Sequence, residues 1–333
     1  MKKFVWLFLL YRHMAGIRHP QPECLPKIFS LRDFWKKRNE IVIVRKVVAL
    51  GDIFIHRMLF EDMKKINPEI IICFATNSQF FDALRDHPFI DKLIDCSTNI
   101  NDYLTVYDTS SVCIRHESAM GISNTSHRSD IWASHIGLEL KSHNMHFHID
   151  LEAQKWAEET IKQFQKKGKP VVLLCPTTSN LHKNITEGQI EIIVNYLREK
   201  NCVVFSMTIP LPVIAKLNIP NFPRPPLPKL IALVNAADYV ISTDTSYFHC
   251  AGGLKRPLLG IFAYTNGKIY GKYYDFELIQ KHRDNGDWDC GPCYNHLRCI
   301  RDSNISHPCI TEINKTMLID GIDRMFQRWP WKT

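Results

Sequence analysis

Between Asp238 and Phe262 the chain reads DYVISTDTSYFHCAGGLKRPLLGIF, and this stretch admits few folds. Apolar β-formers fill Tyr239–Ser242 and Leu258–Phe262. A polar turn, Thr243–Ser246, leads from the first run into a short helix over Tyr247–Leu254, and Gly252, Gly253 and Pro257 break the chain before the second. Apolar strands joined through a helix predict a parallel sheet covered on both faces. The turn feeds a helix N-terminus, where unpaired N–H groups and the positive end of the helix dipole favour a phosphate. Asp244, Thr245 and His249 lie in or just after it. The simpler reading makes Thr245 or Ser246 an N-cap and Asp244 a first-turn acid.

The same rhythm opens the chain. An apolar run, Ile41–Leu50, ends at Gly51-Asp52, and an amphipathic helix from Ile53 to Ile66 stops at Asn67-Pro68. A strand over Ile70–Phe74, a helix over Ser78–Asp86, short strands near Lys92–Ile94 and Val112–Arg115, and a helix over Ser129–Leu138 follow. His143, His146 and His148 lack a carboxylate or thiol at ligand spacing and read as a linker with incidental histidines. A helix over Glu152–Lys167 ends at Gly168. The pattern then restarts with a buried strand, Val171–Cys175, the polar loop Pro176–Asn184, and a helix begun by Thr186 with Gln189 as its capping box. A strand over Cys202–Met207, a connection Pro210–Pro228 with seven prolines, and a helix over Leu230–Ala237 return the chain to the opening stretch.

These elements predict an α/β fold of two Rossmann-like domains with parallel sheets facing across a central cleft, the loops carrying Asp52 and Asp244 on its walls. The segments are a lead over 1–40, a first domain over 41–150, a linker helix over 151–169, a second domain over 170–286 and a tail over 287–333. Lys2 and Lys3 before the apolar run Phe4–Tyr11 leave a secretory signal, a membrane-surface helix and plain packing open.

Composition narrows the partners. A net charge of +8 over 333 residues suits anionic ligands such as nucleotides, and carries no nucleic-acid signature. Of eleven cysteines, seven are scattered through apolar runs, whereas Cys290, Cys293, Cys299 and Cys309 form a C-x2-C-x5-C-x9-C cluster. Scattered thiols beside one tight cluster point to a reducing compartment and a four-thiolate metal site.

Several of these pieces together resemble glycosyltransferase family 9, the heptosyltransferases, whose fold is GT-B. IVIVRKVVALGD is similar to the family's opening strand and Gly-Asp turn, and SHRSDIWASHIGLEL to the helix that ends its first domain. VVLLCPTTSNLHKNIT is similar to the start of its second domain, and ADYVISTDTSYFHCAGGLKRPLLGIF to its D-T-G-x-x-H motif. The resemblance spans about Ile41 to Phe262. It departs from the family at Ser246, which replaces the motif glycine, at Val48, and in loop lengths before Asp52 and Lys183.

The resemblance implies an inverting transfer of a sugar, heptose on this reading, from a nucleotide diphosphate to a glycan, lipid-linked or protein hydroxyl. It makes Asp52 the general base, which suits the carboxylate such a transfer needs; Asp52 also reads as a helix N-cap. Thr177, Thr178 and Lys183 would hold the diphosphate, although Lys183 also reads as a solvated lysine. Thr245 and Ser246 would meet the diphosphate at the helix N-terminus, with Asp244 and His249 beside the donor. No catalytic metal is expected. The cysteine cluster is similar to that of the autotransporter heptosyltransferases and implies structural iron or zinc. The expected location is cytoplasmic, with a peripheral membrane contact open. A silent nucleotide-sugar or glycan binder of the same fold is the main rival. A dinucleotide oxidoreductase is disfavoured because no G-x-G-x-x-G follows either opening strand.

Overall fold

A computed structural model describes residues 40–331 apart from 47–48, 101–102, 166–167, 282–292 and 294–307. The expectations for the lead and for Cys290 and Cys299 lie outside the described residues. The first half carries β1 (Glu40–Val44), α1 (Leu50–His56), α2 (Phe60–Ile66), β2 (Ile71–Thr76), β3 (Lys92–Asp95), β4 (Thr105–Asp108), α3 (Val112–Met120) and α4 (Arg128–His135). Helix α5 (Leu151–Lys162) links it to the second half. That half comprises β5 (Val171–Cys175), α6 (Glu187–Glu199), β6 (Val203–Ser206), α7 (Pro212–Lys216), α8 (Leu227–Ala236), β7 (Tyr239–Thr243), α9 (Ser246–Gly253), β8 (Leu258–Phe262), α10 (Gly267–Tyr270), β9 (Glu277–Gln280), α11 (Pro308–Thr311) and α12 (Lys315–Arg328).

Both sheets are parallel, in the orders β3-β2-β1-β4 and β6-β5-β7-β8-β9. In each sheet the chain winds one way from its first strand and then crosses to that strand's other side. The carboxyl ends of β1, β5 and β7 therefore sit at the topological switch points, where open α/β sheets leave a crevice. Just beyond these ends lie Arg45 and, at the start of α1, Asp52; Thr177 to Lys183; and Asp244 and Thr245 leading into Ser246 of α9.

Central strands β5, β7 and β8 are buried throughout, as unbroken apolar runs between two helical layers must be. One buried cluster includes Ile53 and Phe54 of α1 together with Phe248 and Cys250 of α9, so the core is continuous between the halves. A second lies under α6 and α12, where Leu318, Ile322 and Met325 pack with Tyr239, Leu259 and Ile279. The capping box of α6 forms as predicted, and the Gln189 amide reaches on to the carbonyls of Ile310 and Ile313 at 2.7 and 2.8 Å.

Several elements differ from expectation. Val112–Arg115 is helical, and the strand precedes it at Thr105–Asp108. Asp108 Oδ1 accepts the Ser110 amide at 2.8 Å, turning the chain so that Val112, Cys113 and Glu117 face inward from a helix; packing overrides the β-propensity of Val-Cys-Ile. The predicted helix Ile53–Ile66 begins at Leu50 and is interrupted by a 3-10 turn at Arg57–Leu59. There the fully buried Arg57 donates to the carbonyls of Ala83, Met145 and His146 and forks onto Asp86. The linker histidines find distant carboxylates, His143 at Asp130 (3.2 Å) and His146 at Glu61 (2.7 Å). Among the described residues no helix is long and apolar enough to cross a membrane.

Candidate active site

The walls of the crevice meet at two helix N-termini. Gly51 in the first turn of α1 packs so closely on α9 that a Cβ there would lie 3.0 Å from His249 Cδ2 and 3.5 Å from Ser246 Cα. Asp52 follows it, buried, with Ala49 as the N-cap in place of the Asp52 cap the sequence allowed. Asp52 lies near enough to α9 to act electrostatically on His249.

On the first wall the Asp52 carboxylate is held on both oxygens. Arg45 donates to Oδ2, and Arg128 donates to Oδ1 at 2.7 Å. Arg45 is itself fixed by the carbonyls of Thr109 (3.2 Å) and Ser110 (2.6 Å). Burial alone would raise the Asp52 pKa, but the guanidiniums of Arg128 and Arg45 outweigh it and hold the carboxyl well below the usual range. Beside it, His56 bridges the Asp52 carbonyl (2.7 Å) and Thr109 Oγ1 (2.9 Å) and stacks on Trp132. Burial pushes His56 down to about 3, so its ring is neutral. Neither arginine stood out in the sequence, because an ion pair between residues 52 and 128 leaves no local spacing signal.

On the second wall Thr245 caps α9, its hydroxyl accepting the Tyr247 amide at 3.0 Å, as the simpler reading expected. Ser246 occupies the first helical position. Asp244 is buried at the end of β7, where Lys183 Nζ donates to Oδ2 at 2.7 Å and Thr265 Oγ1 donates to the same oxygen at 2.5 Å. Burial opposes ionisation of Asp244, but Lys183 and His249 outweigh it and lower its pKa. His249 has Nε2 3.9 Å from Asp244 Oδ1 and Nδ1 3.0 Å from the Tyr274 hydroxyl. Burial lowers it to about 4, against the pull of Asp244 and Asp52.

Lys183 is therefore a paired, largely covered lysine whose ammonium reaches the α9 turn. Thr177 and Thr178 enter the same loop but turn their groups inward. Thr177 shares a hydroxyl contact with Thr208, while the Thr178 amide donates to Asn184 Oδ1 (2.6 Å) and its hydroxyl to the Asn180 carbonyl (2.9 Å). Both shape the loop that carries Lys183.

Of the cysteine cluster, Cys293 and Cys309 are described. Cys309 is buried in α11, and the Cys293 amide donates to the Tyr264 carbonyl at 2.9 Å. No group of three His, Cys, Asp or Glu side chains among the described residues is placed to hold a metal. Cys73, Cys96, Cys113, Cys175, Cys202 and Cys250 are free thiols, consistent with the scattered pattern.

A family model described as glycosyltransferase family 9 (heptosyltransferase) matches residues 126–285. Solved structures resemble the chain over most of its length. A glycosyltransferase family 9 protein from Veillonella parvula is 14% identical, with a TM-score of 0.66 over 87% of this chain and 97% of its own. The ADP-heptose lipopolysaccharide heptosyltransferase II of Escherichia coli is 12% identical, with a TM-score of 0.64 over 86% of this chain and 99% of its own. The iron-containing dodecameric glycosyltransferase TibC of enterotoxigenic Escherichia coli is 11% identical, with a TM-score of 0.63 over 86% and 76%. These likenesses show the GT-B fold. A search of curated proteins returned no match.

Proposed function

We propose that this glycosyltransferase, whose residues 126–285 belong to family 9, inverts the anomeric centre of a nucleotide-diphosphate sugar as it transfers that sugar to an acceptor hydroxyl. The observation that supports the reading is the close packing of Gly51, next to Asp52, on His249 and Ser246 of α9, with Asp52 acting electrostatically on His249. Heptose carried on ADP is the proposed donor: related structures include a heptosyltransferase in complex with ADP-D-beta-D-heptose. The acceptor hydroxyl belongs to a glycan, a lipid-linked saccharide or a protein.

In this mechanism the acceptor oxygen attacks the anomeric carbon from the Asp52 side. The new C–O bond forms as the C–O bond to the diphosphate breaks, and its electron pair leaves with the phosphate oxygen. Lys183 and the α9 N-terminus stabilise that departing charge, and the acceptor's proton passes to Asp52. A carboxylate already bonded to two guanidiniums is a weak base, so proton transfer accompanies the attack instead of preceding it. The same double engagement favours the second reading, a silent nucleotide-sugar binder. Thermal shift across a panel of sugar nucleotides, followed by a slow hydrolysis assay, separates the two. Stabilisation with hydrolysis of ADP-heptose supports transfer, stabilisation without hydrolysis supports the binder, and no stabilisation by any sugar nucleotide refutes both.

We assign Cys290, Cys293, Cys299 and Cys309 to a structural iron or zinc ion, on residue type and spacing. Metal analysis of the purified chain is expected to give about one iron or zinc per chain, and metal-free protein would overturn the assignment.

A further inference from the structure

Arg128 has more partners than a simple counter-ion needs. Its Nε and Nη2 fork onto Glu117 at 2.7 and 2.8 Å, leaving Nη1 for Asp52. Glu117 is 1% exposed, and a further contact comes from the other half of the molecule: the Tyr270 hydroxyl donates to Glu117 Oε1 at 3.1 Å. The Tyr270 ring also lies under the Arg128 guanidinium, 5.0 Å from its centroid, and is itself 4% exposed. One turn along, Tyr273 donates to Asp130 at 2.6 Å, so the two halves are joined on both sides of Arg128. Arg45, by contrast, is fastened wholly within the first half. Of the two guanidiniums on Asp52, only Arg128 contacts the opposite wall in this way.

We propose that Arg128, clamped by Glu117 and Tyr270, is a positioning residue that couples the docking of the two halves to the orientation of the Asp52 carboxylate. The proposal rests on the reading of Asp52 as the base. With Tyr270 in place, Glu117 shares its charge between a guanidinium and a hydroxyl. Without that hydroxyl, Glu117 draws Arg128 more strongly and Asp52 Oδ1 loses part of its partner. The charged and titratable groups around Asp52 are Arg45, Arg128, His56 and the buried Cys113 thiol on its own wall, Glu117 behind Arg128, and Tyr270, His249 and Asp244 opposite.

The test is an NMR titration of full-length protein carrying carboxyl-13C aspartate, together with hydrolysis of ADP-heptose as the probe. In the wild type the Asp52 signal stays that of a carboxylate to the acid limit of folding. Arg128→Gln, by removing a counter-charge worth about 1–3 pH units, brings an Asp52 midpoint up into the range where the protein is folded. Tyr270→Phe, which deletes one hydroxyl on the opposite half, raises it in the same direction by less and lowers kcat several-fold at unchanged KM. Tyr270→Ala, which also removes the ring, does more. If Arg128→Gln does not fold because Glu117 is left unpaired, Arg128→Gln combined with Glu117→Gln removes both charges. An Asp52 titration and kcat in Tyr270→Phe identical to wild type would overturn the proposal, as would an unmoved Asp52 without the Arg128 charge. Should Asp52→Asn retain hydrolysis, the base reading fails, and the carboxyl titration still decides the coupling.

Discussion

The walls of the crevice are built on different electrostatic plans. On the second wall one buried carboxylate, Asp244, meets one lysine whose flexible stem lets the ammonium turn to an arriving anion, with a helix N-terminus beside it. On the first wall Asp52 is saturated by two arginines, each braced by further bonds. A single exchangeable lysine suits a site that takes up and releases a diphosphate. A braced arginine pair suits a carboxylate whose direction matters more than its basicity. In the proposed mechanism, the difference separates holding the donor from aligning the attack.

The comparison breaks most visibly at Asp52. Asp52→Ala is expected to lower turnover about 100- to 10,000-fold, the range of a lost general base, as read by release of nucleotide from ADP-heptose. On the second wall, Lys183→Ala removes a charged contact and weakens donor binding about 10- to 150-fold by calorimetry, with a smaller loss of turnover at saturation. The seam between the walls is tested at Gly51. Gly51→Ala puts a methyl against His249, which must shift by a few tenths of an ångström, and a several-fold fall in turnover is expected without loss of folding. Ser246→Gly, which restores the family's glycine, is expected to change donor affinity by no more than about threefold, since the residue stays at the first helical position.

Acid stability bears on both walls together. His56, His87, His127 and His249 are held near 3, 2, 3 and 4, mainly by burial, against an ordinary value of 6.5. Below pH 6.5 the unfolded chain therefore binds more protons than the folded one, so stability falls as pH drops through that region and levels off above neutrality. Denaturant melts near pH 5 are expected to show uptake of about four protons on unfolding. Stability independent of pH between 5 and 7 would show that these rings are not buried neutral.

How much of this was legible in the sequence follows the same division. The second wall was readable because its parts are local: β5, β7 and β8 are unbroken apolar runs, Thr186 and Gln189 form a spaced capping box, and Asp244, Thr245 and His249 sit within one turn. On the first wall Asp52 could be placed, but Arg45, Glu117 and Arg128 of that wall and Tyr270 of the opposite half come from separate elements, and only folding brings them together. The misread strand at Val112–Arg115 has the same origin. The inward packing of Val112, Cys113 and Glu117, the last bonded to Arg128, favours a helix there over the strand that local propensity suggests.

The division of labour is tested most directly by titrating ADP-heptose into Asp52→Ala while following its hydrolysis. The account predicts donor affinity within about twofold of wild type with turnover lost. Donor affinity that falls in step with turnover, or turnover that survives, would contradict it.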